Sequence, residues 1–147
     1  MKTSAGILPY RKKEKPEVYL GRMGGPWWRH RQRAWSIFKG EVREGEAPLQ
    51  AARREFSEET GQRIDGAFIP LGSVKSGGKE IFVWAVEAEP PTQIRSNLFT
   101  IEWPPHSGKR ASFPEMERAG WFDLEEAREM IVASQLPFLD RLEALLA

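Results

Sequence analysis

Three glutamates in the middle of the chain are spaced so that they could bind a divalent cation. At about 100° per residue, Glu55, Glu58 and Glu59 share one narrow face of a helix. Such like charges repel one another by roughly a few tenths of a kcal/mol per pair. The last two also meet the negative end of the helix dipole, just before Gly61. Carboxylate oxygens this close together are hard ligands, and this chemistry is typical of magnesium or manganese sites.

The flanking residues indicate whether this acidic face is docked on a core. An isolated E-x-x-E-E pattern is more often a solvated surface, partly neutralised by neighbouring arginines. Here Leu49, Ala52 and Phe56 recur at helical spacing and supply an apolar stripe. Pro48 suits the first helical position and Gly61 suits the C-terminal stop. The sequence therefore predicts a well-ended helix whose carboxylates emerge beside a buried seam.

The segment around this helix resembles the signature of the Nudix hydrolase family, G-x5-E-x7-R-E-U-x-E-E-x-G-U, in which U is apolar. The final apolar position departs from the pattern, because it is Gln62, and Ile64 is a nearby replacement anchor. Phe38 stands where the family often has proline before Lys-Gly. The matching positions are Gly40, Glu46, Arg54, Glu55, Phe56, Glu58, Glu59 and Gly61.

The resemblance implies an α/β fold, the Nudix α/β/α sandwich with a mixed β-sheet between helices, as one domain over residues 1–147. It implies an Mg2+-dependent pyrophosphohydrolase, with Mn2+ as a substitute, that cleaves a nucleoside diphosphate linked to another group. Arg54 would hold the glutamates in register, and Glu46 and Gly61 would be structural. The implied metal ligands are Glu55, Glu58, Glu59 and the backbone carbonyl of Gly40.

A further acidic residue usually completes such sites, and Glu115 is the first candidate, with Glu117 and Glu102 as alternatives. The run Phe113-Pro114-Glu115-Met116 resembles a segment of relatives that cut dinucleoside polyphosphates or triphosphate-capped RNA. We therefore expect a dinucleoside polyphosphate substrate such as diadenosine tetraphosphate. The alternatives are a hydrolase of oxidised (d)NTPs, an RNA 5′-pyrophosphohydrolase and a noncatalytic nucleotide or RNA sensor.

The segment of residues 24–33 mixes tryptophans with arginines, as expected where a base stacks and phosphates are neutralised. The alternative is a surface loop whose tryptophans cover the edge of the core. Lys39, next to the first signature glycine, is a further candidate for a phosphate contact, and the alternative is a solvent-exposed lysine. The substrate-binding candidates are Lys39, Trp27, Trp28, Arg29 and Arg31.

Composition restricts the remaining possibilities. The chain has 147 residues, a formal net charge of +1 and no cysteine. The small charge gives no general attraction to nucleic acid or membrane, so nucleic acid is expected as a partner only if an RNA 5′ end is the substrate. The absence of cysteine excludes disulfides and thiol chemistry. With no membrane-spanning run or signal peptide, we expect a cytoplasmic protein. The oligomeric state stays open.

Hydrophobic patterning predicts the elements that position these residues. Strand-like segments alternate with turn signals, and Ser76-Gly77-Gly78 is a plausible hairpin turn. A loop of Gly, Ser and Lys is expected after Pro104-Pro105. Asp123 with Glu126 resembles a capping box at the start of a helix. The predicted strands cover residues 3–8, 17–22, 68–74, 81–86, 98–103 and 120–122, and a final helix covers residues 134–146.

Overall fold

The computed structural model describes residues 2–147. Within them no helix is long and apolar enough to cross a bilayer. A short 3-10 turn, Ala133–Gln135, precedes the last helix. The elements are β1 (Lys2–Arg11), β2 (Glu17–Met23), β3 (Trp35–Ser36), β4 (Phe38–Glu41), α1 (Pro48–Thr60), β5 (Ile69–Ser76), β6 (Lys79–Glu87), β7 (Leu98–Glu102), β8 (Arg110–Pro114), β9 (Met116–Asp123), α2 (Leu124–Met130) and α3 (Leu136–Leu146).

A mixed sheet forms the centre of the molecule, in the order β3-β2-β1-β6-β5. Strand β1 runs parallel to β6 and antiparallel to both β2 and β4. Its C-terminal end pairs with β2 at Tyr10, whereas its N-terminal half pairs with β4, where Ala5 lies opposite Gly40. Strand β9 extends the sheet beyond β2. The sheet therefore divides beside β1 and places Gly40 next to the start of α1.

Helices cover both faces of this sheet, so the predicted α/β/α arrangement is confirmed. On one face, Phe56 of α1 packs edge-on against Phe38, with ring centroids 5.5 Å apart, and Phe38 stacks on Tyr19 at 5.4 Å. On the other face, Phe138 and Leu142 of α3 are fully buried against the strands. The capping box at Asp123 is present at the start of α2.

One predicted connection is wrong. Residues 110–114 form strand β8, which pairs with β7 in a separate two-stranded hairpin, where a loop was expected. The last sheet strand is also longer than predicted, since β9 begins at Met116. Strand β8 escaped prediction because its side chains are at most half-buried, so it lacks the apolar alternation that marks a strand on a core.

Candidate active site

Helix α1 sets the position of the acidic residues. Pro48 occupies its first turn, and Gly61 ends it with φ 75° and an N–H donated to the carbonyl of Ser57. Phe56 on the buried side fixes the rotation of the helix, which directs Glu55 toward β4. There a Cβ on residue 40 would overlap the Glu55 carboxylate. Glycine at position 40 is therefore what allows the carboxylate to lie directly against the strand backbone.

Arg54 connects the loop before α1 to the carboxylates on the helix. It donates two hydrogen bonds to Glu46, at 2.8 and 3.1 Å, and one to the backbone carbonyl of Glu41 at 2.9 Å. It also donates to Glu55 at 2.8 Å and to Glu58 at 3.1 Å. The two charge-assisted bonds from Arg54 to Glu46 lower the pKa of the Glu46 carboxyl to about 2. The guanidinium thus holds three carboxylates in register.

Glu59 is the most deeply buried acid of the set, with 7% of its surface exposed. Its Oε1 accepts a hydrogen bond of 3.0 Å from the backbone N–H of Lys39. Burial raises the pKa of Glu59 to about 8, and the charges of Glu55 and Glu115 add to this rise. The Lys39 ammonium opposes it. Burial also raises the pKa of Glu55.

Backbone hydrogen bonds connect Glu115 to the C-terminal turn of α1. The segment of residues 91–97, which we call the strap, crosses the C-terminal turn of α1. Asn97 donates its N–H to the carbonyl of Glu58 at 2.9 Å and accepts from the N–H of Glu115 at 2.9 Å. Ser96 Oγ accepts from the N–H of Met116 at 3.0 Å. The strap therefore ties the corner between β8 and β9 to α1.

Gln62, the position that departs from the family signature, fastens the strap at its other end. Its Nε2 donates to the carbonyls of Pro91 and Gln93, at 3.1 and 2.9 Å. Tyr19 Oη donates to the same Pro91 carbonyl at 2.7 Å. Ile64, only 6% exposed, is buried in the adjoining core. An amide at position 62 is thus explained by its hydrogen bonds to the strap.

The two alternatives to Glu115 have other partners. Glu117 accepts a hydrogen bond of 3.1 Å from Arg22. Glu102 accepts from the backbone N–H groups of His106 and Gly108, at 3.1 and 3.2 Å, within the turn of the β7–β8 hairpin. Of the three candidates, Glu115 is the one whose backbone is bonded through the strap to α1.

A cavity of about 280 Å³, which we call the Lys39 cavity, is lined in part by Lys39, the residue whose N–H is bonded to Glu59. One part of its wall is fixed by Gln135, whose Oε1 accepts from the N–H of Ile37 and whose Nε2 donates to Ser36 Oγ, both at 2.9 Å. Sequence reasoning missed Gln135, and its only signal is an amide just before an apolar helix. The lining residues are Met23, Trp28, Ser36, Lys39, Ser76, Lys79, Ile81, Val132, Ser134 and Gln135.

The side chains of residues 24–33, which we call the tryptophan–arginine segment, lie in different surroundings. Trp28 and Lys39 line the cavity just described, whereas Arg29 lines a second one. Trp27 is 67% exposed, and the guanidinium of Arg31 lies 3.9 Å from its ring centroid. These last two residues line neither cavity.

The donor set suits a hard divalent cation. The carboxylate oxygens lie against a strand backbone that is accessible because Gly40 has no side chain. Burial has also raised the pKa of Glu59. Within residues 2–147, however, no three acidic or histidine side chains already converge on one point. The contacts given above explain this, because Arg54 holds Glu55 and Glu58 while Lys39 holds Glu59. Arg54 occupies only Oε1 of Glu55 and Oε2 of Glu58, so the second oxygen of each carboxylate is left for a cation.

Comparison with known proteins agrees with this fold. The family model described as NUDIX domain matches residues 1–142. The chain therefore belongs to the Nudix family. Nudix hydrolases generally use divalent metals.

Solved structures show the same fold at low sequence identity. An Ap4A hydrolase of C. elegans in a binary complex aligns with a TM-score of 0.70 and 24% identity over 99% of this chain and 98% of that chain. The ORF135 protein of E. coli aligns with a TM-score of 0.62 and 19% identity, covering 100% and 93%. The NUDIX domain of Shewanella oneidensis NrtR, complexed with ADP ribose, aligns with a TM-score of 0.66 and 13% identity, covering 99% and 88%.

A curated relative from Myxococcus xanthus, named Octanoyltransferase, is 35% identical over 104 residues. That match covers 71% of this chain and 25% of the relative. The chain thus spans about a quarter of the relative's length.

The raised pKa of Glu59 predicts a pH-dependent stability in the absence of divalent cations. The folded chain holds this proton more tightly than the unfolded chain, whose carboxyl keeps its ordinary pKa of 4.5. The free energy of unfolding should therefore fall as the pH rises from 4.5 to about 8, by on the order of a few kcal/mol. Urea denaturation in EDTA at several pH values measures this. Glu59→Gln should lack this component, and an equal pH slope in both proteins would contradict it.

Proposed function

We propose that residues 1–147 form one Nudix domain that hydrolyses a phosphoanhydride in a dinucleoside polyphosphate such as diadenosine tetraphosphate, with Mg2+ as the cofactor and Mn2+ as a substitute. In this proposal Glu55, Glu58 and Glu59, together with the Gly40 carbonyl, hold the metal, and Glu115 completes the set. Bound divalent cations neutralise phosphate charge and acidify water.

The residues of the chain provide positioning and charge for this reaction. Arg54, through its bonds to Glu46 and the Glu41 carbonyl, keeps the acidic face of α1 oriented toward β4. Glu59 is held in place at the same time, because its buried carboxylate accepts the backbone N–H of Lys39. Water attacks one phosphorus, and the bridging oxygen leaves with the other phosphate.

The observation that carries the proposal is the double role of Lys39. Its N–H holds the buried Glu59 carboxylate, and the same residue lines the 280 Å³ cavity next to Trp28. A nucleoside stacked on Trp28 therefore has its phosphates directed past a lysine toward the carboxylates. Lys79 adds a second positive charge to the same cavity.

Two observations support a dinucleoside polyphosphate in particular. The strap holds Glu115, which stands in the segment that resembles relatives acting on such substrates, against the end of α1. A structure with the same fold over 99% of the chain is an Ap4A hydrolase. Oxidised (d)NTPs and the triphosphate end of RNA are the competing substrates.

A substrate panel tests this proposal. Diadenosine tetraphosphate, ATP, 8-oxo-dGTP, ADP-ribose and 5′-triphosphorylated RNA are compared with Mg2+ and with Mn2+, and products are resolved by ion-exchange chromatography. We expect the highest kcat/KM for diadenosine tetraphosphate, with ATP and AMP as products. Preference for 8-oxo-dGTP or RNA would replace the substrate assignment. Metal-independent nucleotide binding without turnover would indicate a sensor.

A further inference from the structure

A second cavity, of about 390 Å³, lies at the end of β2, between the tryptophan–arginine segment and the corner that joins β8 to β9. We call it the arginine cavity. It lies where the β7–β8 hairpin packs beside the central sheet. Its lining residues are Arg22, Gly25, Arg29, Phe113, Pro114, Glu117 and Arg118.

The arginine cavity carries uncompensated positive charge. Arg22 is satisfied, because it donates to Glu117 at 3.1 Å and to the backbone carbonyls of Trp28 and Arg29, at 3.4 and 3.2 Å. Arg29 and Arg118 form no ion pair with any carboxylate in the part of the chain that the structure describes. The Arg118 guanidinium also lies 5.4 Å from the ring centroid of Trp35, a contact that does not neutralise its charge. The charges of both guanidinium groups are thus left for an anionic ligand, and guanidinium geometry suits phosphate.

The walls of the arginine cavity are aromatic and held in place. Phe113 packs on Phe99 across the hairpin, with ring centroids 6.0 Å apart. Phe99 fills the space beside Gly25, where a Cβ would lie 2.6 Å from its Cζ. Arginines beside a phenylalanine suit a nucleotide better than a free phosphate, because the ring offers a surface on which a base can stack.

One loop links the arginine cavity to the candidate ligand Glu115 and to the Lys39 cavity. Gly24 donates its N–H to the carbonyl of Glu115 at 3.0 Å, so the loop that forms one wall is bonded to the candidate ligand. Consecutive residues serve the two cavities, since Trp28 lines the Lys39 cavity and Arg29 lines the arginine cavity. A ligand with nucleotides at both ends could occupy the two together.

We propose that the arginine cavity binds the second nucleotide of a dinucleoside polyphosphate, with Arg29 and Arg118 on its phosphate and Phe113 against its base. The inference rests on the proposed function and deepens it. It makes the enzyme selective for long, two-ended substrates, because a mononucleotide reaches only the Lys39 cavity. Arg29 and Arg118 are specificity-determining residues in this proposal.

Kinetics on two substrates test the arginine cavity. Arg29→Ala and Arg118→Gln should each raise KM for diadenosine tetraphosphate about tenfold, which corresponds to about 1.4 kcal/mol of binding, and leave KM for ATP unchanged. Arg63→Ala is the matched control, an exposed arginine outside both cavities, and should change neither KM. Equal effects on the two substrates, or no effect on either, would overturn the proposal.

Binding measured without turnover separates this proposal from the proposed function. Isothermal titration calorimetry with the methylene analogue of diadenosine tetraphosphate, in Mg2+, compares wild type with both variants, and thermal unfolding checks their folding. About tenfold weaker binding in the variants supports the arginine cavity even if the wild type hydrolyses none of the panel. Equal binding in all three proteins overturns it even if the wild type is active.

Discussion

Glu59→Gln lowers kcat by at least about a hundredfold while the fold stays intact, because a buried charge is lost from the metal-binding set without loss of volume. The same change should raise the melting temperature in EDTA at pH 8. At that pH about half of the wild-type molecules carry an ionised Glu59, which burial and the neighbouring charge of Glu55 disfavour. Steady-state kinetics with Mg2+ and thermal unfolding in EDTA measure the two effects.

Two further glutamine variants make this result interpretable. Glu58→Gln should lose activity to a similar extent, but it should not stabilise the chain, because it replaces a charged acceptor of Arg54 with a neutral one. Glu125→Gln, at an exposed carboxylate of α2, should leave both activity and stability unchanged. Near wild-type kcat in both Glu58→Gln and Glu59→Gln would remove the assignment of these residues to a metal site.

Gly40→Ala abolishes activity and lowers the free energy of unfolding by about 1–3 kcal/mol, the usual cost of inserting a group where there is no space. The added Cβ would overlap the Glu55 carboxylate, so the side chain must leave its position against β4 or the strand must shift. Either outcome separates Glu55 from the Gly40 carbonyl. Urea denaturation and kinetics with Mg2+ measure the losses.

A double-mutant cycle identifies the cause of the instability. In a Glu55→Ala background the overlap is absent, so Gly40→Ala should cost much less stability there than in the wild type. Activity should stay lost in the double variant, because the carboxylate is missing. Additive destabilisation would show that the glycine serves the strand backbone, and the proposed contact with Glu55 would then be wrong.

The helix and its acidic face could be predicted because their determinants are local. Helical spacing of Ala52 and Phe56, proline at the start and Gly61 at the end define α1, and these signals lie within a few residues of what they determine. The burial of Glu59 was not predictable in the same way. It depends on Lys39, which lies in a strand distant in sequence.

The surroundings of the site required the structure because they depend on long-range hydrogen bonds. The strap has no regular secondary structure, and only its bonds to the carbonyl of Glu58 and the N–H of Glu115 reveal what it holds. The β7–β8 hairpin carries few buried apolar side chains, so hydrophobic patterning could not mark its second strand. The separation of Trp28 from Arg29 likewise follows from the way the loop folds over two cavities.

The bonds of Arg54 have a consequence for the entropy of catalysis. One guanidinium joins a loop without regular structure, through Glu46 and the carbonyl of Glu41, to two acids of the helix. These bonds make the loop and the helix move together. The conformational entropy of the acidic side chains is therefore lost when the chain folds. Few side chains then have to be ordered when the substrate binds, so more of the binding energy can lower the activation barrier of the reaction.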